Sequence, residues 1–325
     1  MFFQAARQGE NYWWQYLITL FVVFLGWQVF GAIPLLIGLI MSVPEDAEPM
    51  EAMAAFAESM DFAAVGMDPL VGLTLMIVAF GFGLLSLWLM VRAVHKRPFQ
   101  TLITPRPAIN YRKIFTAAGL WFAFMAAFEV VSYLVNPENY VLQFEISRFL
   151  PLLLIAVFLL PIQTSFEELL MRGYLMQGIG LGFRNRLVPL IITSAIFGAM
   201  HFANPEVQEF GFGIMMVNYI SIGAMLGIIT LMDDGLELAL GVHAANNIYG
   251  ATMVTFSASA LKTPAVFSLR ELDVQTMTAA TVIGSLIFIL LLSKIYGWRD
   301  WSRLYADIPP APMANNETFE NHSTK

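Results

Sequence analysis

Apolar residues run through this chain in long blocks, without the alternation of half-buried strands or the one-sided stripe of surface helices. Eight blocks stand out: Trp13–Met41, Pro69–Val94, Ile114–Val135, Phe149–Gln177, Leu187–Phe202, Phe210–Met232, Leu236–Thr255 and Met277–Tyr296. A helix needs about 20 predominantly apolar residues to cross the hydrocarbon core of a bilayer, and most of these blocks reach or exceed that length. The pattern predicts an all-α fold, a polytopic membrane helix bundle of about eight transmembrane helices. Pro34 and Pro161 are the positions where a helix is expected to kink or restart. The first block is far longer than the apolar core of a signal peptide and is expected to remain as a permanent span.

Composition supports this placement. The 325 residues are 58% hydrophobic and only 13% charged, with a net charge of −7 and a mean hydropathy of +0.67. Ordinary soluble domains carry roughly a quarter charged residues, so a cytosolic domain and a basic nucleic-acid binder are both excluded. The expected partners are the lipid bilayer and a membrane-associated protein or peptide, with no nucleic acid. The chain contains no cysteine, which removes disulfides, thiolate metal sites and cysteine nucleophiles together.

Charge sets the expected orientation. Arg92, Lys96, Arg97, Arg106, Arg112 and Lys113 follow the second block, whereas Glu45, Asp46, Glu48, Glu51, Glu58, Asp61 and Asp68 follow the first. Basic connections stay on the cytoplasmic side, so the first connection is expected outside and both termini in the cytoplasm, in what reads as a bacterial inner membrane. Residues 1–112 form a two-span region with an acidic outer and a basic inner connection. Residues 113–298 form a core that carries the chemistry within 149–255. Residues 299–325, rich in proline and polar side chains, read as a disordered cytoplasmic tail.

Ionisable groups are costly in a bilayer and usually face the bundle interior with a task. The fourth block holds Glu167, Glu168 and Arg172. Glu168 and Arg172 are spaced i,i+4 and share a face, while Glu167 points about 100° away, toward a cavity. His201 ends the fifth block and His243 lies in the seventh with Asn247 one turn on. Counted from the expected cytoplasmic ends, Glu167, His201 and His243 lie roughly 15, 21 and 10 Å deep, so one shared layer is expected. Asn246 could replace Asn247 there if the helix is rotated. Glu129 is a further acid without a motif.

A carboxylate, two imidazoles and an amide can activate water and stabilise a tetrahedral oxyanion, as amide hydrolysis requires. The chain has no Gly-x-Ser-Gly, Gly-x-Gly-Asp or His-Glu-x-x-His site. The set Glu167-Glu168…Arg172, Phe197…His201 and His243…Asn247 resembles the CPBP family of intramembrane proteases, which includes the type II CAAX prenyl endopeptidases and the Abi proteins. The resemblance spans about Phe149–Thr255. It implies that Glu167 and His201 activate the attacking water, that His243 and Asn247 stabilise the oxyanion, and that Glu168 and Arg172 brace the fourth helix. The family is commonly labelled metalloprotease. Glu167, His201 and His243 make a feasible three-ligand Zn2+ set with an open fourth position, and a metal-free activated water fits the same residues. The expected function is an intramembrane endopeptidase. The alternatives are a non-catalytic scaffold, maturation or immunity protein of the same fold, and a proton or cation transporter using the same groups as relays.

Overall fold

In the computed structural model, residues 2–310 are described, and the expected tail beyond residue 310 lies outside them. All eight apolar blocks are helical. They form α1 (Trp13–Ser42), α2 (Pro69–Ala93), α3 (Tyr111–Val135), α4 (Ile146–Phe183), α5 (Leu187–Met200), α6 (Phe212–Asp233), α7 (Glu237–Thr252) and α8 (Val274–Tyr296). Side chains such as Leu17, Phe21, Leu134, Val135, Leu286 and Leu290 are exposed around the outside, the apolar belt that a lipid-facing bundle presents. Pro161 does restart a helix: α4 is interrupted at Leu159, and Pro161 sits in the first turn of the segment that follows.

Six of the helices are long and apolar enough to cross a membrane. The other two expected spans are shorter, with 14 residues in α5 and 16 in α7. At 1.5 Å per residue these reach only about 21 and 24 Å. The reason is local for α5, where the backbone leaves the helical region at His201 (φ −96°, ψ 4°). Helix α7 is enclosed by its neighbours, with residues such as Leu238, Val242, Ala245 and Ala251 buried, so it need not offer an apolar face to lipid. Its closest approach is to α3: a Cβ on Gly241 would stand 2.1 Å from the Ile114 carbonyl oxygen.

The connections gather at two ends of the bundle, as alternating crossings require. At one end the Phe2 amide donates to Asp234 (2.9 Å), Lys113 pairs with Asp233 (2.6 Å), and the Leu236 amide donates to the Ile103 carbonyl (2.7 Å). At the other end Lys262 pairs with Asp61 (2.5 Å) and the Arg270 amide donates to the Asn139 carbonyl (2.9 Å). A small sheet also closes this second end, with β1 (Tyr140–Leu142), β2 (Val254–Thr255) and β3 (Phe267–Leu269) in the order β1-β3-β2. Strand β3 is antiparallel to β1 and parallel to β2.

The tail expected from residue 299 is packed in its first part. Residues Trp301–Leu304 form a turn of 3-10 helix, the Ile308 amide donates to the Arg184 carbonyl (2.8 Å), and Ile308 is buried with Phe2, Phe3, Met176, Leu190 and Leu231. Leu304 packs against the same cluster, and Arg303 donates to the Met232 carbonyl at 3.2 Å, so the strip is seated by apolar and polar contacts together.

Candidate active site

The candidate site begins in α4, where regular helix gives way to a π-helical stretch over Leu169–Leu175, directly after the two glutamates. Such π segments often mark functional positions, because the added residue re-aims the side chains around it. Arg172 is fully buried and donates from Nη1 to Glu168 Oε1 at 2.6 Å and from Nη2 to the Gly223 carbonyl at 2.9 Å. Its guanidinium lies over the Phe197 ring, 4.4 Å from the centroid. The brace expected between Glu168 and Arg172 is therefore present, and it extends to α6 and α5.

Glu168 has a second partner that spacing along one helix does not reveal. His243 of α7 places Nδ1 2.9 Å from the same Glu168 oxygen. The carboxylate accepts, so Nδ1 carries the hydrogen and Nε2 faces the other way, 3.6 Å from Glu167 Oε2. That separation exceeds a hydrogen bond but leaves both atoms within reach of one water molecule. Gln163, one turn before Glu167, donates to its Oε1 at 3.2 Å. Glu167 thus has one oxygen held by an amide and the other turned to His243.

His201 joins from the end of α5. Its Nδ1 is 2.7 Å from the Phe197 carbonyl; a carbonyl only accepts, so Nδ1 is protonated and, in the neutral ring, Nε2 keeps its lone pair. Phe197 is the hub of the site, with its ring centroid 4.8 Å from that of His201 and 5.7 Å from that of His243. Glu167 and His243 both lie within electrostatic range of His201. Tyr219 of α6 stacks on the far face of the His201 imidazole at 4.3 Å.

Asn247 lies one turn beyond His243, beside Asn246. Its Oδ1 accepts from Asn246 Nδ2 at 3.3 Å, and Asn246 Oδ1 in turn accepts from Trp121 Nε1 at 3.3 Å. This leaves the Asn247 amide N–H groups as donors one helical turn from His243. Glu129, the acid without a motif, is remote from this set and receives the Tyr140 hydroxyl at 2.5 Å. Among the described residues no three His, Asp or Glu side chains are grouped so as to hold a metal ion. The Nδ1 atoms of His201 and His243 are engaged by Phe197 and Glu168, which leaves each Nε2 for a water or a metal ion.

Three contributions go beyond the expectations drawn from the sequence. Gln163 carried a usable signal in its i,i+4 spacing to Glu167. The Glu168–His243 contact joins residues 75 positions apart, and Tyr219 is an aromatic within an apolar helix without a motif.

These residues fall within 146–249, the stretch matched by the family model described as type II CAAX prenyl endopeptidase Rce1-like. The uncharacterized protein YyaK of Bacillus subtilis (strain 168) is 33% identical over 283 residues, covering 86% of this chain and 91% of its own length. No solved structure matches the chain. With a polytopic helical bundle, paired glutamates beside a histidine, and these two matches, the chain belongs to the Rce1-like family of type II CAAX prenyl endopeptidases.

Proposed function

We propose that this protein is an intramembrane endopeptidase that hydrolyses a peptide bond of a membrane-associated substrate. The observation that carries the reading is the bridging of His243 between Glu168 at 2.9 Å and Glu167 at 3.6 Å. This arrangement orients one imidazole with one carboxylate and keeps the second carboxylate for a water.

In the proposed reaction Glu167 Oε2 takes a proton from water as the oxygen adds to the scissile carbonyl carbon. His201, with its Nε2 lone pair, helps orient that water. The negative charge then forming on the carbonyl oxygen is met by N–H donors from Asn247 and, when protonated, from His243 Nε2. The proton held by Glu167 passes to the leaving amine nitrogen as the C–N bond breaks, giving a carboxylic acid and an amine, and the acid's proton then passes to the amine to leave a carboxylate and an ammonium. Positioned acid–base groups contribute about 10²–10⁴ in rate, and oxyanion donors a comparable factor. Burial strengthens these interactions because little water screens them. Arg172 offsets the charge of Glu168, so His243 can be oriented without leaving a second uncompensated carboxylate in the site.

The test is cleavage of a quenched membrane-peptide library by purified protein in proteoliposomes, with Glu167→Gln as the control. Cleavage that is lost in the variant supports the reading. Cleavage that persists in it, or proton-coupled flux with no cleavage in either protein, overturns it. Metal analysis of the same preparation bears on the activating group: stoichiometric zinc, lost in Glu167, His201 and His243 variants, would replace the free carboxylate base with a metal-bound water.

A further inference from the structure

His201 stands apart from the other site residues because it lies past the end of its helix. It caps α5 outside helical geometry, so no following helical turn packs its ring in place. Its Nδ1 contact with the Phe197 carbonyl at 2.7 Å holds one edge of the imidazole. A ring held at one edge can still swing about that contact, and the swing carries Nε2 out of line.

The second restraint is Tyr219. Its ring lies 4.3 Å from the imidazole centroid at an interplanar angle of 22°, a near-parallel stack. That geometry fixes the plane of the imidazole while leaving both nitrogens free at the ring edge, whereas an edge-on neighbour would cover one of them. Tyr219 is itself fixed at its hydroxyl end. The hydroxyl oxygen accepts from Asn204 Nδ2 at 3.1 Å, and the carboxyl of Glu206 lies beside it. Glu206 is buried and accepts the Ala260 amide at 2.7 Å. The residue holding the Tyr219 hydroxyl thus comes from the segment directly after His201, and Glu206 ties that segment to the connection that follows β2.

We propose that Tyr219 is a positioning residue for His201: its ring sets the plane of the imidazole, and its hydroxyl, held by Asn204, sets the ring. The proposal rests on the reading of His201 as a participant in hydrolysis. Its physical content is a direction for Nε2, so its effect belongs in kcat and in the histidine tautomer, beyond any effect on folding.

The experiment compares wild type, Tyr219→Phe, Tyr219→Leu and Asn204→Ala in proteoliposomes, using a peptide the wild type cleaves and Glu167→Gln as reference. It also records 15N NMR of histidine-labelled protein, which has only four histidines to assign. Tyr219→Leu is expected to lower kcat by about 10- to 100-fold, the scale of misplacing a reacting group, with KM little changed. Its His201 signal is expected to shift from a single Nδ1–H tautomer to a mixture. Tyr219→Phe, which keeps the stack but loses the hydroxyl anchor, should fall between the leucine variant and wild type in both tautomer and kcat. A leucine variant with wild-type kcat and an unaltered His201 signal would overturn the proposal, as would a loss confined to thermal stability. If the leucine protein does not fold, Asn204→Ala decides: a smaller shift of the same kind supports the proposal, and an unchanged tautomer and kcat overturn it. An active Glu167→Gln protein would instead reject the hydrolytic reading, and the tautomer measurement then decides whether Tyr219 orients His201.

Discussion

His243 Nδ1 lies 2.9 Å from Glu168 Oε1, the same oxygen that receives Arg172 Nη1 at 2.6 Å. A single carboxylate oxygen therefore joins α4 to α7 and balances a buried guanidinium, so the two adjacent glutamates have separable tasks. Glu167→Gln keeps the size and the contact with Gln163 but cannot take a proton. Turnover is expected to fall by about 10² or more with the melting temperature preserved. Glu168→Gln strands Arg172, and loss of one partner of a buried pair costs about 3–5 kcal/mol. That variant should lose both stability and activity, and adding Arg172→Met should recover part of the stability but not the activity, since His243 remains without its carboxylate. One cleavage assay and one melting curve per variant check this; equal melting losses in the two single variants would reject the assignment.

The orientation is open to direct labelling, because the chain has no native cysteine. Ala47→Cys is expected to react with an impermeant maleimide in intact cells and Ala108→Cys only after permeabilisation. These sites lie in the acidic connection after α1 and the basic connection after α2. The reverse pattern would invert the topology.

His95 supplies a pH prediction away from the candidate site. It lies in the connection between α2 and α3, buried against α1 and α4, with Nδ1–H donated to the Glu10 carbonyl at 2.8 Å and Nε2 accepting the Tyr174 hydroxyl at 2.7 Å. Burial, reinforced by nearby Arg97 and opposed by the Glu10 carbonyl, holds its pKa below the ordinary value of 6.5. The folded protein then binds fewer protons than the unfolded chain as pH falls through that value. The contribution of His95 to stability is present above 6.5 and lost as pH falls through the lowered folded value. Melting temperatures from pH 8 to about 5 should decline toward acid less steeply in His95→Gln than in wild type. Parallel curves would show that His95 carries none of the dependence.

Two glycines of α7 make a matched pair. A Cβ on Gly241 would meet the Ile114 carbonyl oxygen at 2.1 Å, while one on Gly250 meets nothing within 4 Å. Backbone atoms cannot yield as a flexible side chain does, so Gly241→Ala should cost at least about 1–3 kcal/mol and reduce activity by shifting His243 two residues on. Gly250→Ala should melt at or slightly above the wild-type temperature, as expected where a helical glycine is replaced without strain. Similar melting of the two variants would contradict the close α3–α7 approach.

Helical spacing made much of the architecture readable, because membrane spans and i,i+4 pairs are local properties. Glu168 and Arg172 are found paired as their spacing implies, and each of the eight apolar blocks is helical. The readings that differed involve distant segments. The short extent of α5 depends on the turn at His201, and the seating of Ile308 depends on a pocket built from Phe2, Phe3 and Leu231. Asn247 shares a helix face with His243 as its spacing implies, but the contact of its Oδ1 with Asn246, itself held by Trp121 of α3, is a partner that spacing does not name. Periodicity assigns a side chain to a face, whereas its partner on that face is chosen by another helix.

The enclosure of α7 has a consequence for how the protein is made. This helix begins at Glu237 and carries His243, Asn246 and Asn247 within its 16 residues, and polar or ionisable groups are costly in lipid unless they are partnered. Those partners, Glu168, Trp121 and the α3 backbone, all precede α7 in the chain. Helix α7 is therefore expected to insert against α3 and α4, which would tie formation of the site to the order of synthesis.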